Sequence, residues 1–476
     1  MANQSQLELI RQGASAWNQW RKDHPRRIPD LRDAELESMD LCHADLHKAK
    51  LSGAKLSGAQ LREADLSGAH LRHADLSLAD LDLANLAEAN LRGACLRGAS
   101  LQSTRLIDAV LVGADLRSAK LEEADLTDAN LNKVDLTRAL LKKASCYDIS
   151  LIGAKLDKAD LEKAQLVRAD LTRASLKEAC LVSANLAAAS LGRSRLMRAN
   201  ISAAILNNAF LGGANLTDAI AKGTDFSGAN LTEAKLIRTD LRSADLRWAI
   251  VRGANLSNCD LRHSFLIKTD FCQASLNACK VYGISAWDLD LEGTEQMNLL
   301  ISDDEGSQIT VSDLEVAQFI YLLLNNAKIR KVIDKVTSKV VLILGRFKRM
   351  SVLQSICRKL LEVDYVPVLF DFKKPDNRDF IETVSILAHM SRFILADMTD
   401  PKIVLEEVPH IVRNISVPFQ PLLLEGEIPP TTLYNLRNQK SLLPTHVYKN
   451  PEELLRNFGE KIIAPCEAKF GELQRE

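Results

Sequence analysis

The stretch Ala54-Lys55-Leu56-Ser57-Gly58-Ala59-Gln60-Leu61-Arg62-Glu63-Ala64-Asp65-Leu66 carries a leucine at every fifth residue and an alanine two residues before each. The phase holds without a slip from Leu31 to Leu291. Leucine gives way only at Cys146, Ile201, Ala221, Phe226, Val251, Phe271, Val281 and Ala286. Asp or Asn often stands between alanine and leucine, as in Ala64-Asp65-Leu66 and Ala184-Asn185-Leu186. A repeat this regular sets the architecture of more than half the chain.

A period of five suits neither ordinary element. On a helix, five residues turn about 500°, so successive leucines would spread around the axis and make no face. On a flat strand, an odd step sends each side chain to the opposite face. A chain that bends once per repeat keeps every leucine inside. Four bends close a square coil of about 20 residues, and coils stack about 4.8 Å apart through β-type hydrogen bonds. The stretch predicts about 13 coils and a rod roughly 60 Å long.

The pattern resembles the pentapeptide-repeat family, as in Ala54-Lys55-Leu56-Ser57-Gly58 and Ala94-Cys95-Leu96-Arg97-Gly98. The resemblance implies a right-handed quadrilateral β-helix over residues 31–292. Thr or Ser replaces the inward alanine at Thr104, Ser194, Thr224, Thr239, Ser264 and Thr269. These are tolerable where their hydroxyls find backbone partners. Val134, Ile149, Ile284 and Leu289 are larger, and the last two predict that the coil widens or ends near residue 284.

With 61 basic and 62 acidic residues, the chain has a net charge of −1. The repeat itself holds nearly equal numbers of each sign, so nothing argues for nucleic-acid binding. Nine scattered cysteines with no Cys-x-x-Cys spacing predict a reduced, cytoplasmic setting and no metal site. Cys146, Cys259 and Cys279 fall at inward positions, where cysteine acts as a small hydrophobe. No run of about 18 apolar residues exists and no membrane span is expected.

Around the repeat, residues 1–30 hold one amphipathic helix through Leu7, Ile10, Ala14 and Trp17, stopped by Pro25 and Pro29. It reads as a cap over the open sheet edge of the first coil. Residues 293–336 read as a polar linker followed by a connecting helix from the capping box Ser312-Asp313-Leu314-Glu315. Residues 337–476 alternate strands and helices, which predicts a doubly wound parallel α/β sheet. Strands are expected at 340–344, 366–370, 393–396 and 417–424. Helices are expected after Ser351-x-x-Gln354, and over 378–390, 402–412 and 451–470. Pro367 marks an edge position.

In such sheets ligands bind beyond the carboxyl ends of the strands. Gly345 and Arg346 follow the first strand, Asp371 and Arg378 the second, and Asp397 the third. The segment Val340 to about Glu425 resembles the Toll/interleukin-receptor-like and nucleoside deoxyribosyltransferase-like group. Leu344-Gly345-Arg346-Phe347, Phe370-Asp371-Phe372 and Ser391-Arg392-Phe393-Ile394-Leu395-Ala396-Asp397 carry that resemblance. It implies Glu407 as the carboxylate acting at an anomeric carbon and Asp397 as a ribose contact. Gly345, Arg346, Asp371 and Arg378 are then ligand-binding candidates. Glu406-Glu407-Val408 stands where deoxyribosyltransferases have Glu-Leu-Gly.

Three functions compete. The first is an interaction scaffold without a resident cofactor, whose C-terminal domain binds a protein partner or a nucleotide. The second is an enzyme that cleaves a glycosidic bond of NAD or a nucleoside through Glu407. The third is DNA mimicry towards a topoisomerase, as in the quinolone-resistance pentapeptide proteins. A mimic needs a strongly negative rod, since duplex DNA carries about one charge per 1.7 Å. The near-neutral repeat ranks that reading last.

Overall fold

The computed structural model describes residues 3–301, 309–325, 339–345, 349–371, 379–399, 416–429, 431–434, 436 and 438–474. Asp371, residues 379–383 and residues 431–432 are described by their backbone alone. The chain divides into two compact units. One comprises Met1–Leu276 and Ser285–Glu295, the other Asn277–Ile284 and Gln296–Glu476.

In the first unit every bridge joins a residue to the one 20 further on, as in Lys50 to His70 and Asp65 to Asn85. The coil therefore has four sides of five residues. Each side ends in a turn closed from the alanine amide to the leucine carbonyl, 3.0 Å for Ala54 to Leu51. The second residue after each leucine has a positive φ, as at Ser38 (53°), Leu78 (57°) and Gly98 (66°). A positive φ at the third residue of the turn is the mark of type II. Where Asp or Asn precedes the leucine it can cap that turn: Asp65 Oδ1 accepts from Ser67 N at 3.0 Å, and Asn185 Oδ1 from Ala187 N at 3.1 Å.

The inward positions are buried as the period requires, from Leu31 through Ala286, apart from the half-buried Met39. Cys146, Cys259 and Cys279 are among them. The inward threonines reach carbonyls of the coil below: Thr104 donates to Leu81 O at 2.8 Å and Thr224 to Ile201 O at 2.7 Å. Ser194 and Ser264 differ, with buried hydroxyls that have no hydrogen-bond partner among the described residues. Serine lacks the second branch that stiffens χ1 in threonine. Val134 and Ile149 pack inside the stack, whereas Leu289 and Leu291 are only half-buried. The regular turn is missing after Ala286 and returns once at Glu292-Gly293, where Thr294 N bonds Leu291 O at 3.1 Å.

The expected single N-terminal helix is two, α1 (Gln4–Ile10) and α2 (Ala14–Asp23). Gly13 breaks it at φ 105°, which favours a residue without Cβ. α2 lies on the first coil's edge. Trp17 Nε1 donates to Asp45 O at 2.7 Å, Asn18 Nδ2 to His43 O at 2.9 Å, and Asn18 Oδ1 accepts from Asp45 N at 2.8 Å. Side chains thus satisfy backbone groups that an exposed edge would leave open.

The second unit holds a seven-stranded sheet. Its strands are β1 (Leu299–Leu300), β2 (Ile309–Val311), β3 (Val340–Gly345), β4 (Val366–Asp371), β5 (Phe393–Asp397), β6 (Phe419–Leu424) and β7 (His446–Tyr448). The order is β1-β2-β4-β3-β5-β6-β7. The five from β4 to β7 are parallel, but β1 and β2 run antiparallel, so the sheet is mixed and not wholly parallel. Two short strands stand where a polar linker is expected from composition. Leu299, Ile309 and Val311 are buried there, and the intervening residues 302–308 lie outside the described ones. The edge position expected from Pro367 is corrected, since β4 lies between β2 and β3; the proline is tolerated because β2 reaches only Leu369 and Phe370.

The helices are α3 (Leu314–Asn325), α4 (Met350–Glu362), α5 (Asp379–Met390), α6 (Thr431–Tyr434), α7 (Pro451–Arg456) and α8 (Ala464–Leu473). Asp313, not Ser312, caps α3, accepting from Val316 N at 2.8 Å. α4 starts before Ser351, and Arg349 precedes it without a side-chain cap. The expected single C-terminal helix is interrupted by a π turn over Gly459–Ile463. Pro465 follows immediately and removes a helical amide. α4, α7 and α8 bury Leu353, Ile356, Leu360, Leu454 and Cys466 with Val341, Ile343, Phe393 and Leu395 of the sheet. The helix expected over 402–412 lies outside the described residues.

Candidate functional site

β3 lies between β4 and β5, with Gly345 paired to Asp371 and Leu344 to Ala396. This register brings Gly345, Asp371 and Asp397 to one edge of the sheet, at the carboxyl ends of three parallel strands. Of these, Asp397 has a described side chain that can be read. Arg346, Arg378 and Glu407 lie outside the described residues, and so does Glu406.

Asp397 is 6 % exposed. Its Oδ1 accepts from Thr399 N at 3.1 Å. Its Oδ2 lies 3.2 Å from Arg349 Nε, but without the geometry of a hydrogen bond. The contact is an ion pair between poorly hydrated groups, and the charge of Asp397 is balanced inside the protein. Arg349 also donates to Tyr448 Oη at 2.7 Å and sits 6.0 Å from the centre of that ring. Burial, with Asp397 nearby, raises the Tyr448 phenol above its usual pKa. Thr399 Oγ1 accepts from Leu424 N at 3.2 Å, tying the end of β5 to β6.

Gly345 has a tight surrounding. A Cβ there would fall 2.9 Å from Leu353 Cδ2 and 3.5 Å from Asp397 Cβ. The missing side chain lets Leu353 of α4 pack against β3 beside the Asp397 side chain.

Arg349 and Tyr448 are the groups that sequence reasoning missed. The signal for Arg349 was present: it ends the run Arg346-Phe347-Lys348-Arg349 directly after the first buried strand. Tyr448 stands 99 residues away from Arg349, and nothing local links them.

Among the described residues, Asp270, Cys272 and Asp290 are the group whose ligand atoms come within 4.8 Å of one another. Arg252 Nε lies 2.5 Å from Asp270 Oδ2 and its NH2 nitrogen 3.8 Å from Asp290 Oδ2, so a cation is already supplied. Hydrogen bonding to Asp290, with burial, pushes the Cys272 thiol up to about 11, which keeps it protonated and a poor ligand. No helix of the described residues is long and apolar enough to cross a membrane.

Comparison with known proteins places these sites in context. The family model described as pentapeptide repeats matches successive segments between residues 30 and 277. HetL, a pentapeptide repeat protein involved in heterocyst differentiation regulation from Nostoc sp. strain PCC 7120, is 31 % identical, covering 52 % of this chain and 90 % of its own, with a TM-score of 0.22. Rfr23 from the cyanobacterium Cyanothece 51142 is 28 % identical over 25 % of this chain and 91 % of its own, with a TM-score of 0.23. QnrB1, a plasmid-mediated fluoroquinolone resistance protein, is 17 % identical over 41 % and 89 %, with a TM-score of 0.29. No curated protein matches the chain.

Proposed function

This chain belongs to the pentapeptide-repeat family, whose repeats form a right-handed β-helix, and from that premise we propose that it is an interaction scaffold and not an enzyme. The rod, residues 31–292, presents side chains at fixed positions. The C-terminal α/β domain, residues 337–476, binds a protein partner or a nucleotide beyond Gly345, Asp371 and Asp397. Residues 1–30 cap the rod, and residues 293–336 connect it to the domain.

One observation carries the proposal. Asp397, the expected ribose contact, is buried and paired with Arg349. A carboxylate already balanced by an internal cation gains little from a sugar hydroxyl, and exposing it would strand the half-buried Arg349 charge. The fold resemblance of the C-terminal domain gives no activity by itself, because function resides in the site. The near-balance of charge along the rod favours protein contacts over mimicry of DNA.

The test is direct. The full chain is incubated with NAD and with deoxynucleosides, and products are followed by chromatography. No product is expected from either. Product that disappears in Glu407→Gln and persists in Glu406→Gln overturns the scaffold reading in favour of a glycosidase.

A further inference from the structure

Along the rod, the positive-φ position of each side forms a ladder with steps of 20 residues, and several of its charges pair between rungs. Arg238 pairs with Asp218 at 2.7 Å, Lys143 with Glu123 at 3.0 Å, and Lys158 with Glu178 at 3.3 Å. Arg168 pairs with Asp148 in the same way. Two neighbouring arginines stand outside these pairs. Arg173 and Arg193 occupy consecutive rungs, joined by the backbone bond from Arg173 N to Gly192 O of 2.9 Å. Their outer neighbours on the ladder are Gly153 and Gly213. Among the described residues neither arginine has an ion-pair partner. Two adjacent guanidinium groups without a counterion repel each other and favour an anion.

Beside them lies a groove of about 580 Å³, lined by these arginines with Thr172, Phe210, Asn230 and Thr232. Its floor is glycine. A Cβ at Gly192 would fall 2.8 Å from Phe210 Cε1, and one at Gly212 would fall 2.6 Å from Phe210 Cζ. The Phe210 ring thus lies on two bare backbone rungs, yet stays 48 % exposed. Ile152 adds a second exposed apolar group at one end. Glu233 closes the opposite end with a negative charge.

We propose that this groove docks an acidic peptide segment of a protein partner, with carboxylates on Arg173 and Arg193 and an aromatic side chain against Phe210. The inference rests on the scaffold reading and names the chemistry of the partner. Forked guanidinium groups match carboxylates in pairs, and aromatic anchors with arginine are the groups that dominate protein interfaces. A nucleic acid is disfavoured, because Glu233 and Asp170 lie on the same side and the rod as a whole is near neutral.

The experiment uses the full chain and fluorescence anisotropy with a labelled random copolymer of glutamate and tyrosine. Labelled polyglutamate and oligo-dT serve as comparators. The copolymer is expected to bind more tightly than polyglutamate, and oligo-dT least. Arg173→Gln with Arg193→Gln is expected to weaken copolymer binding at least tenfold. Phe210→Ser is expected to remove the advantage of the copolymer over polyglutamate. Arg138→Gln, on another side of the rod, is expected to change nothing. Circular dichroism melts confirm that each variant is folded. Absence of copolymer binding, or binding untouched by the double arginine change, overturns the proposal. Preference for oligo-dT that the double change abolishes assigns the groove to nucleic acid instead. Any of these failures leaves the scaffold reading standing, since that reading is judged by turnover of NAD and deoxynucleosides.

Discussion

Arg349 holds Asp397 at 3.2 Å beneath the carboxyl end of the parallel sheet, with side chains only 20 % and 3 % exposed. The pair joins the start of α4 to the end of β5, and Tyr448 extends it to β7. Arg349→Gln removes the cation and leaves a buried carboxylate. The expected loss of stability is about 3 kcal/mol by urea denaturation. Asp397→Asn, which keeps the amide-facing oxygen, is expected to cost less. Equal and small losses in both variants would show that the pair does not hold this edge.

The rod predicts a sharp contrast between neighbours. Leu111 is fully buried, so Leu111→Asp places an unpaired charge in a stack without room for water. Destabilisation of about 4 kcal/mol is expected. Arg117 is 45 % exposed and pairs with Asp115 at 2.5 Å on the surface. Arg117→Ala is expected to stay within about 0.5 kcal/mol of wild type. Equal thermal shifts would refute the inward assignment of every fifth residue.

The N-terminal helices close the first edge through Trp17 and Asn18. Deleting residues 1–30 is expected to cause aggregation visible by light scattering, because an open sheet edge templates pairing. Trp17→Ala tests the same contact more gently, with a loss of about 3 kcal/mol. A monomeric truncation with unchanged melting temperature would show that the helices are no cap.

A second ion pair fastens α8 to the sheet. Arg392 donates to Glu467 Oε1 at 3.0 Å and Tyr365 Oη donates to the same oxygen at 2.7 Å. Arg392 holds the Glu467 carboxyl below its ordinary value of 4.5, while burial pushes Tyr365 up to about 12. A depressed folded pKa adds stability that is present above the unfolded value and lost as pH falls through the folded one. Glu467→Gln is therefore expected to cost about 1–2 kcal/mol at neutral pH. The gap to wild type should shrink below pH 4.5 as the native carboxyl becomes protonated. A gap independent of pH would assign the loss to packing alone.

Leu31 to Ala286 were legible because one physical requirement, burial at each bend, repeats without interruption. The turn conformation was not. Leu78 and Trp248 adopt positive φ although their side chains disfavour it. There, the bonds between coils impose a geometry that local preference would not choose. Gly13 shows the reverse case, in which one residue's freedom divided an expected helix. β1 and β2 escaped notice because strands of two and three residues are too short to show alternation. At the candidate site, strand order placed Gly345, Asp371 and Asp397 together from the pattern alone. The partner of Asp397 was not readable, since Arg349 belongs to a basic run with several cations to choose from. Tyr448 ends a short strand near the end of the fold, where no periodicity announces it.

The scaffold reading and the docking groove both depend on which residues share a side of the rod, and that is fixed by the 20-residue register. Ser57 Oγ and Ser77 Oγ lie 2.9 Å apart on consecutive coils. Ser67, midway between them in sequence, belongs to a different side and bonds His47. The most direct measurement introduces cysteine pairs and maps disulfides in oxidised protein by mass spectrometry. The account predicts that Ser57→Cys with Ser77→Cys closes a bridge, since adjacent rungs stand about 4.8 Å apart, within disulfide range. It predicts none for Ser57→Cys with Ser67→Cys. A bridge in the second pair and none in the first would contradict the four-sided stack and every surface assigned from it.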